Sequence, residues 1–185
     1  MKSKWINDEI CYIGTQLRSG WVADNTALAG DAIASFIGPA DVPIENMVDM
    51  DDVANDEPIY SKSMLHFIIE HPGCDLPLAV ARQRIITAIA SEVFHKYENG
   101  KCVTRRGDDL FEGNKKISVS IATTSPVSSL IHFAINVISD GTPLPTKGLS
   151  DFGIEPRAFS EEIMNRYMNE IASMEHACGK VKSVP

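Results

Sequence analysis

Apolar positions in this chain come in short runs early and in spaced stripes later. Residues 10–13 and 32–37 are runs of strand length, and the turn pair Gly38-Pro39 is expected to close the second. In 64–70, Leu65, Phe67 and Ile69 alternate with His66, Ile68 and Glu70, so a strand sends the two sets to opposite faces. His71-Pro72-Gly73 bounds that strand. Further on, Ile117, Val119 and Ile121 alternate with Ser118, Ser120 and Ala122, and a strand over 130–138 groups His132, Ala134 and Asn136.

Helical spacing is clearest at Leu78, Ala81, Ile85, Ile86, Ile89, Val93 and Tyr97, with Asn99-Gly100 as the stop. A second stripe, Ile163, Tyr167, Ile171, Met174 and Cys178, ends near Gly179, and Ser160 followed by Glu161 and Glu162 predicts its N-cap. Between them, a strand at 101–104, a turn at 106–109, a short strand at Leu110-Phe111 and a connection at 112–115 predict hairpins. The segment 41–58, acidic and interrupted by Pro43 and Pro58, predicts a short helix or ordered loop with its carboxylates in water. Several strands with two substantial helices predict one α+β domain over 1–185.

Composition narrows the function. Among 185 residues, 17 Lys+Arg face 25 Asp+Glu, a net charge of −8 that opposes non-specific nucleic-acid binding. The four cysteines form no CxxC pair, which predicts reduced thiols, with Cys11 and Cys102 in the core. Residues 1–9 lack the apolar stretch of a signal peptide, and no run approaches a membrane span, so a soluble cytoplasmic protein with no membrane contact is expected.

Three predicted strands carry polar residues among apolar neighbours: His66 with Glu70, Ser118 with Ser120, and His132 with Asn136. Converging faces would floor a polar pocket; diverging ones would be the wet side of a sheet. Arg105-Arg106-Gly107-Asp108-Asp109 and Lys115-Lys116-Ile117-Ser118 bring cations and carboxylates together across a hairpin, able to hold a charged ligand or simply to be solvated. The five histidines show no short metal-ligand spacing, and no metal is expected.

The stretches Arg106-Gly107-Asp108-Asp109-Leu110, Gly113-Asn114-Lys115-Lys116-Ile117-Ser118 and His132-Phe133-Ala134-Ile135-Asn136 resemble the catalytic core of biotin and lipoate protein ligases. A closer resemblance, to domain-of-unknown-function family 366 within that superfamily, runs through Gln16-Leu17-Arg18-Ser19, Gly30-Asp31, Phe36-Ile37-Gly38-Pro39, Met64-Leu65-His66-Phe67, Gln83-Arg84 and 118–123. It implies a ligase-like catalytic domain, a mostly antiparallel mixed sheet covered by helices. It gives Lys116 contact with a substrate carboxyl, places Asp109 beside it, and matches Asn136 to a strand Asn. The glycine- and arginine-rich loop with which those ligases hold the acid and ATP has no counterpart here; Gln16-Leu17-Arg18-Ser19 stands in its place. Asp108 replaces an Asn and Val119 a Gly, so the scaffold is kept with altered chemistry.

These readings converge on an enzyme for a small carboxylic acid. Lys116, Asp109 and His132 are its expected catalytic groups, and Arg18, His66, Glu70, Arg84, Arg106, Asp108, Ser118 and Asn136 its substrate-binding groups. The resemblance further implies 7-deazaguanine modification and thus decarboxylation of 7-carboxy-7-deazaguanine, with Lys116 protonating the ring carbon and no cofactor. Lipoyl, octanoyl or biotinyl transfer and non-catalytic small-ligand binding are the other readings. The expected partner is a small-molecule carboxylate, and the reading allows a homodimer.

Overall fold

In the computed structural model, which describes residues 1–56, 59–140 and 145–185, the alternating run around Phe67 lies in the middle strand of a sheet. Along the chain run β1 (Lys2–Trp5), α1 (Trp21–Thr26), β2 (Ala32–Val42), α2 (Met50–Asn55), β3 (Ile59–Pro72), α3 (Leu76–Phe94), β4 (Val103–Arg106), β5 (Asp109–Glu112), β6 (Lys115–Lys116), β7 (Ser118–Thr124), β8 (Ser128–Asn136), α4 (Leu149–Phe152) and α5 (Pro156–Gly179). The last two residues of the 41–58 segment lie outside the described residues. The five-stranded sheet has the order β1-β2-β3-β8-β7, and β4-β5-β6 form a separate three-stranded one. In the larger sheet β1 and β2 are parallel and the other pairs antiparallel, with Phe67 opposite Phe133 and Ile68 opposite His132.

Both faces of β3 and β8 are covered, which is why apolar residues fill both parities there. Leu65, Phe67, Ile69, Ile131, Phe133 and Ile135 form one core with Ile86 and Phe94 of α3 and Phe159 and Tyr167 of α5. Each such side chain contributes about 1.5–3 kcal/mol on burial. On the opposite face Ala34, Phe36 and Ile68 pack under Tyr12, Trp21 and Val22. Among the described residues no helix is long and apolar enough to cross a membrane.

Several expectations change. β2 does not stop at Gly38-Pro39 but continues to Val42 through a register shift between Gly38 and Ala40, where a residue lacking a backbone donor does least harm. The run 10–13 is no full strand; it is tied to β2 by one bridge, Tyr12 to Ala40, as Ile10 N and Tyr12 N donate to Ile37 O (3.2 Å) and Pro39 O (2.8 Å). Ser160 is not an N-cap. α5 starts a turn earlier, where the Glu155 carboxylate accepts from Arg157 N (2.9 Å) and Ala158 N (2.7 Å), while Ser160 is buried and donates to Ser35 Oγ at 2.8 Å. Cys11 and Cys102, expected in the core, are exposed, as are Cys74 and Cys178.

Candidate functional site

The small sheet and its first turn carry Asp108, Asp109 and Lys116. Gly107, at φ 65°, takes the left-handed conformation that lets β4 turn back into β5, and Asp108 and Asp109 follow at once. β6 then returns antiparallel, with Lys116 opposite Phe111, and the fully buried Ile117 anchors its end. Lys116 Nζ lies 2.8 Å from Asp109 Oδ2. Ser118 Oγ accepts from Leu110 N at 2.8 Å and donates to Asp109 Oδ1 at 3.4 Å. Burial raises the affinity of the Asp109 carboxyl for its proton above the ordinary carboxylate value, more than the Lys116 ammonium offsets, and the neighbouring Asp108 adds to the rise. Asp109 is therefore a desolvated carboxyl group whose charge is favoured by two partners, Lys116 and Ser118.

Asp108 is held from α3. Gln83 Nε2 donates to its Oδ2 at 2.9 Å and Arg84 Nη1 to its Oδ1 at 2.7 Å, while Ser120 Oγ is shared by Gln83 (2.7 Å) and the Asp108 backbone oxygen (3.1 Å). The three polar strand pairs do not share one face. Ser118 and Ser120 sit opposite Ile135 and Phe133, on the side that α3 and α5 cover, whereas His66, His132 and Asn136 alternate onto the other side. They meet only because β7 is an edge strand around which the site wraps.

On that other side, Asn136 Oδ1 accepts from Ser61 Oγ at 3.2 Å and its Nδ2 donates to Lys147 O at 3.3 Å. His66 and His132 contact each other, Nδ1 to Nε2, at 3.1 Å, and His66 Nε2 lies 3.1 Å from Gly38 O. Burial lowers the His66 pKa to about 4, and burial together with His66 lowers that of His132 well below its ordinary value, so both rings are neutral at physiological pH. Tyr12 stacks on His132 with centroids 3.8 Å apart.

These groups border a cavity of about 330 Å³. Asp108, Asp109, Lys116, Ser118, His132 and Asn136 line it together with Tyr12, Asp49 and Asp52. In the segment whose carboxylates were expected to face water, Asp41, Glu45, Asp51 and Asp56 are exposed, while Asp49, which caps α2, and Asp52 form a wall of the cavity. Tyr12, Gln83 and this wall escaped the sequence reading. Tyr12 sits in a run that alternates like any strand, and no local pattern shows what a loop will fold over.

The remaining expected residues lie elsewhere. Arg18 is exposed and pairs with Asp24 at 2.8 Å, and Arg106 lies over Phe111, 4.9 Å from the ring centroid, donating to Gly113 O. Glu70, at the far end of β3, accepts from Gly20 N (3.0 Å) and Ser128 Oγ (2.8 Å). Arg84 meets the site through Asp108, and His66 through His132 and through Tyr12, on which it stacks. None of the three arginines expected to grip an anion lines the cavity, and Lys116 is the cation that does among the described residues.

Comparison with known proteins agrees with this architecture. An uncharacterized protein of Methanocaldococcus jannaschii is 35% identical over 178 residues, 92% of this chain and 80% of the relative. A protein of unknown function from Pyrococcus horikoshi has a solved structure 33% identical, covering 99% of this chain and all of its own, with a TM-score of 0.92. The biotin protein ligase of Aquifex aeolicus, solved with biotin and ATP, is 9% identical with a TM-score of 0.59 over 93% of this chain and 72% of the ligase, a likeness of fold alone. Lipoate protein ligases share that fold. With residues 1–182 matched by the family model described as Domain of unknown function (DUF366), the chain belongs to that family, whose fold is that of the biotin and lipoate protein ligases.

Proposed function

We propose that the chain is an enzyme acting at the carboxyl group of a small heteroaromatic acid, most concretely a decarboxylase of 7-carboxy-7-deazaguanine in a 7-deazaguanine nucleic-acid modification pathway. The observation that carries this reading is the Lys116–Asp109 pair, 2.8 Å apart on the wall of a cavity. A substrate carboxylate seated against the desolvated Asp109 is electrostatically strained, and the strain disappears when the group leaves as neutral carbon dioxide. The carbon–carbon bond breaks with its electron pair on the ring carbon, and the Lys116 ammonium supplies the proton that this carbon takes up. Water then returns a proton to the Lys116 amine.

The lining supports this reading on two further grounds. Asp49, Asp52 and Asp108 are acceptors, suited to a ring rich in N–H donors such as a 2-amino-4-oxopyrimidine. The same carboxylates suit a triphosphate badly. Among the described lining residues Lys116 is the cation, already paired with Asp109, so ATP does not fit this residue set and no step is routed through it.

The test is mass spectrometry of 7-carboxy-7-deazaguanine incubated with purified protein without ATP. The wild type is expected to release 7-deazaguanine, and Lys116→Ala to slow the release by about 100-fold or more. Unchanged substrate with the wild type sinks the proposal. A second reading, lipoyl or biotinyl transfer with Lys116 polarising the acyl carbonyl, is favoured by the fold; acylation of a carrier lysine by the wild type would select it.

A further inference from the structure

A chain of hydrogen bonds at the back of the cavity fixes where its protons are. Gly38 O is a carbonyl oxygen and only accepts, so His66 Nε2, 3.1 Å away, carries a hydrogen. His66 is neutral, which leaves its Nδ1 bare. The contact of 3.1 Å between His66 Nδ1 and His132 Nε2 is then a hydrogen bond only if His132 Nε2 is the donor. His132 is neutral too, so its Nδ1 is a bare acceptor.

That acceptor has no partner among the described residues. Nor is it sealed: Arg82 Nε is the one side-chain nitrogen or oxygen there that is both buried and unpartnered. His132 is 3% exposed, its ring stacks on Tyr12, and it is one of the residues that line the cavity. An acceptor that is not sealed off can take a hydrogen bond from a donor brought into the cavity by a ligand.

We propose that His66, anchored on Gly38 O, holds His132 as the Nε2–H tautomer, and that His132 Nδ1 accepts a hydrogen bond from a ring N–H of the ligand. His132 is then a ligand-holding acceptor and not the acid of the reaction, and His66 is a positioning residue. The donor it selects, a pyrrole- or lactam-type N–H, is the specificity element of the site, and the choice of such a ring rests on the decarboxylase reading. A ring N-methylated at that position has no hydrogen to offer and is rejected.

Long-range 1H–15N spectra of the full chain, labelled at histidine, test the proposal without any substrate. At neutral pH both rings are expected to show a pyrrole-type Nε2 and a pyridine-type Nδ1. Adding 7-deazaguanine should move the His132 Nδ1 signal upfield without protonating it. In His66→Phe the His132 ring should become a mixture of tautomers and 7-deazaguanine should bind about 10-fold more weakly, the loss of one hydrogen bond. A hydrogen on His132 Nδ1 in the free wild type, or a Nδ1 signal that stays put while other cavity resonances shift, overturns the proposal. If 7-deazaguanine moves no cavity resonance, the substrate reading falls with the ligand half of the proposal, while the tautomers of the free protein still decide the relay.

Discussion

Lys116 with Asp109 and His66 with His132 are two close pairs that burial treats differently. In the first, burial strengthens the hold of the Asp109 carboxyl on its proton and the Lys116 ammonium, 2.8 Å away, opposes that rise. In the second, Gly38 O, Tyr12 and Phe36 lie against the rings and none of them is a counter-ion, and His66 disfavours charge on His132. The consequence for stability has a definite sign. The unfolded histidines bind protons near their ordinary value of 6.5, while folded His66 does so only near 4, so the unfolded state holds more protons between those values. Stability is therefore full above about pH 6.5 and falls as pH drops toward about 4, by on the order of 3 kcal/mol from His66 alone. Urea unfolding at pH 7.5, 5.5 and 4.5 is expected to show the wild type losing stability faster than the His66→Phe/His132→Phe double variant, and parallel curves would count against neutral rings in the fold.

The elements that the sequence announces are those built on a single period. α3 buries Ile86, Ile89 and Val93 at the expected spacing, though Ala81 of that stripe is exposed and the helix ends at Phe94, short of Tyr97; β3 and β8 follow their alternation, because one layer covers each face and burial enforces the pattern. The elements that escape it depend on contacts far away in sequence. Gly38-Pro39 carries the local signature of a turn, yet β2 continues, because the chain at 10–12 lies along its edge and uses its carbonyls. Glycine is required there by close approach: a Cβ on residue 38 would stand 1.9 Å from Ile10 O. Gly38→Ala must push these two segments apart, and it is expected to cost about 1–3 kcal/mol in urea unfolding. The same variant strains the carbonyl that anchors His66, so its histidine spectra should show mixed tautomers as well. Unaltered stability would mean that the edge segment is loosely held.

At the scale of the whole molecule, half of the cavity was legible and half was not. Asp108, Asp109, Lys116 and Ser118 lie within eleven residues, and a motif can show them. Tyr12, Asp49 and Asp52 reach the same space from a loop and a short helix more than fifty residues earlier, and only the folded chain brings them to it. The parity that set Ser118 and Ser120 apart from His132 is likewise invisible until β7 is known to be an edge. This construction makes ligand binding a property of the entire fold, since unfolding any one contributor dismantles the cavity. A ligand that binds the folded state alone adds about 2.7 kcal/mol at 100 times its Kd. For a chain of this length that raises Tm by roughly 5–10 °C. Thermal unfolding with saturating 7-deazaguanine is expected to show such a rise in the wild type and also in Lys116→Ala, because the ring groups remain when the proton donor is gone. A rise in the wild type that vanishes in Lys116→Ala would instead make Lys116 the main holder of the ring, leaving the acceptor lining without the role assigned to it.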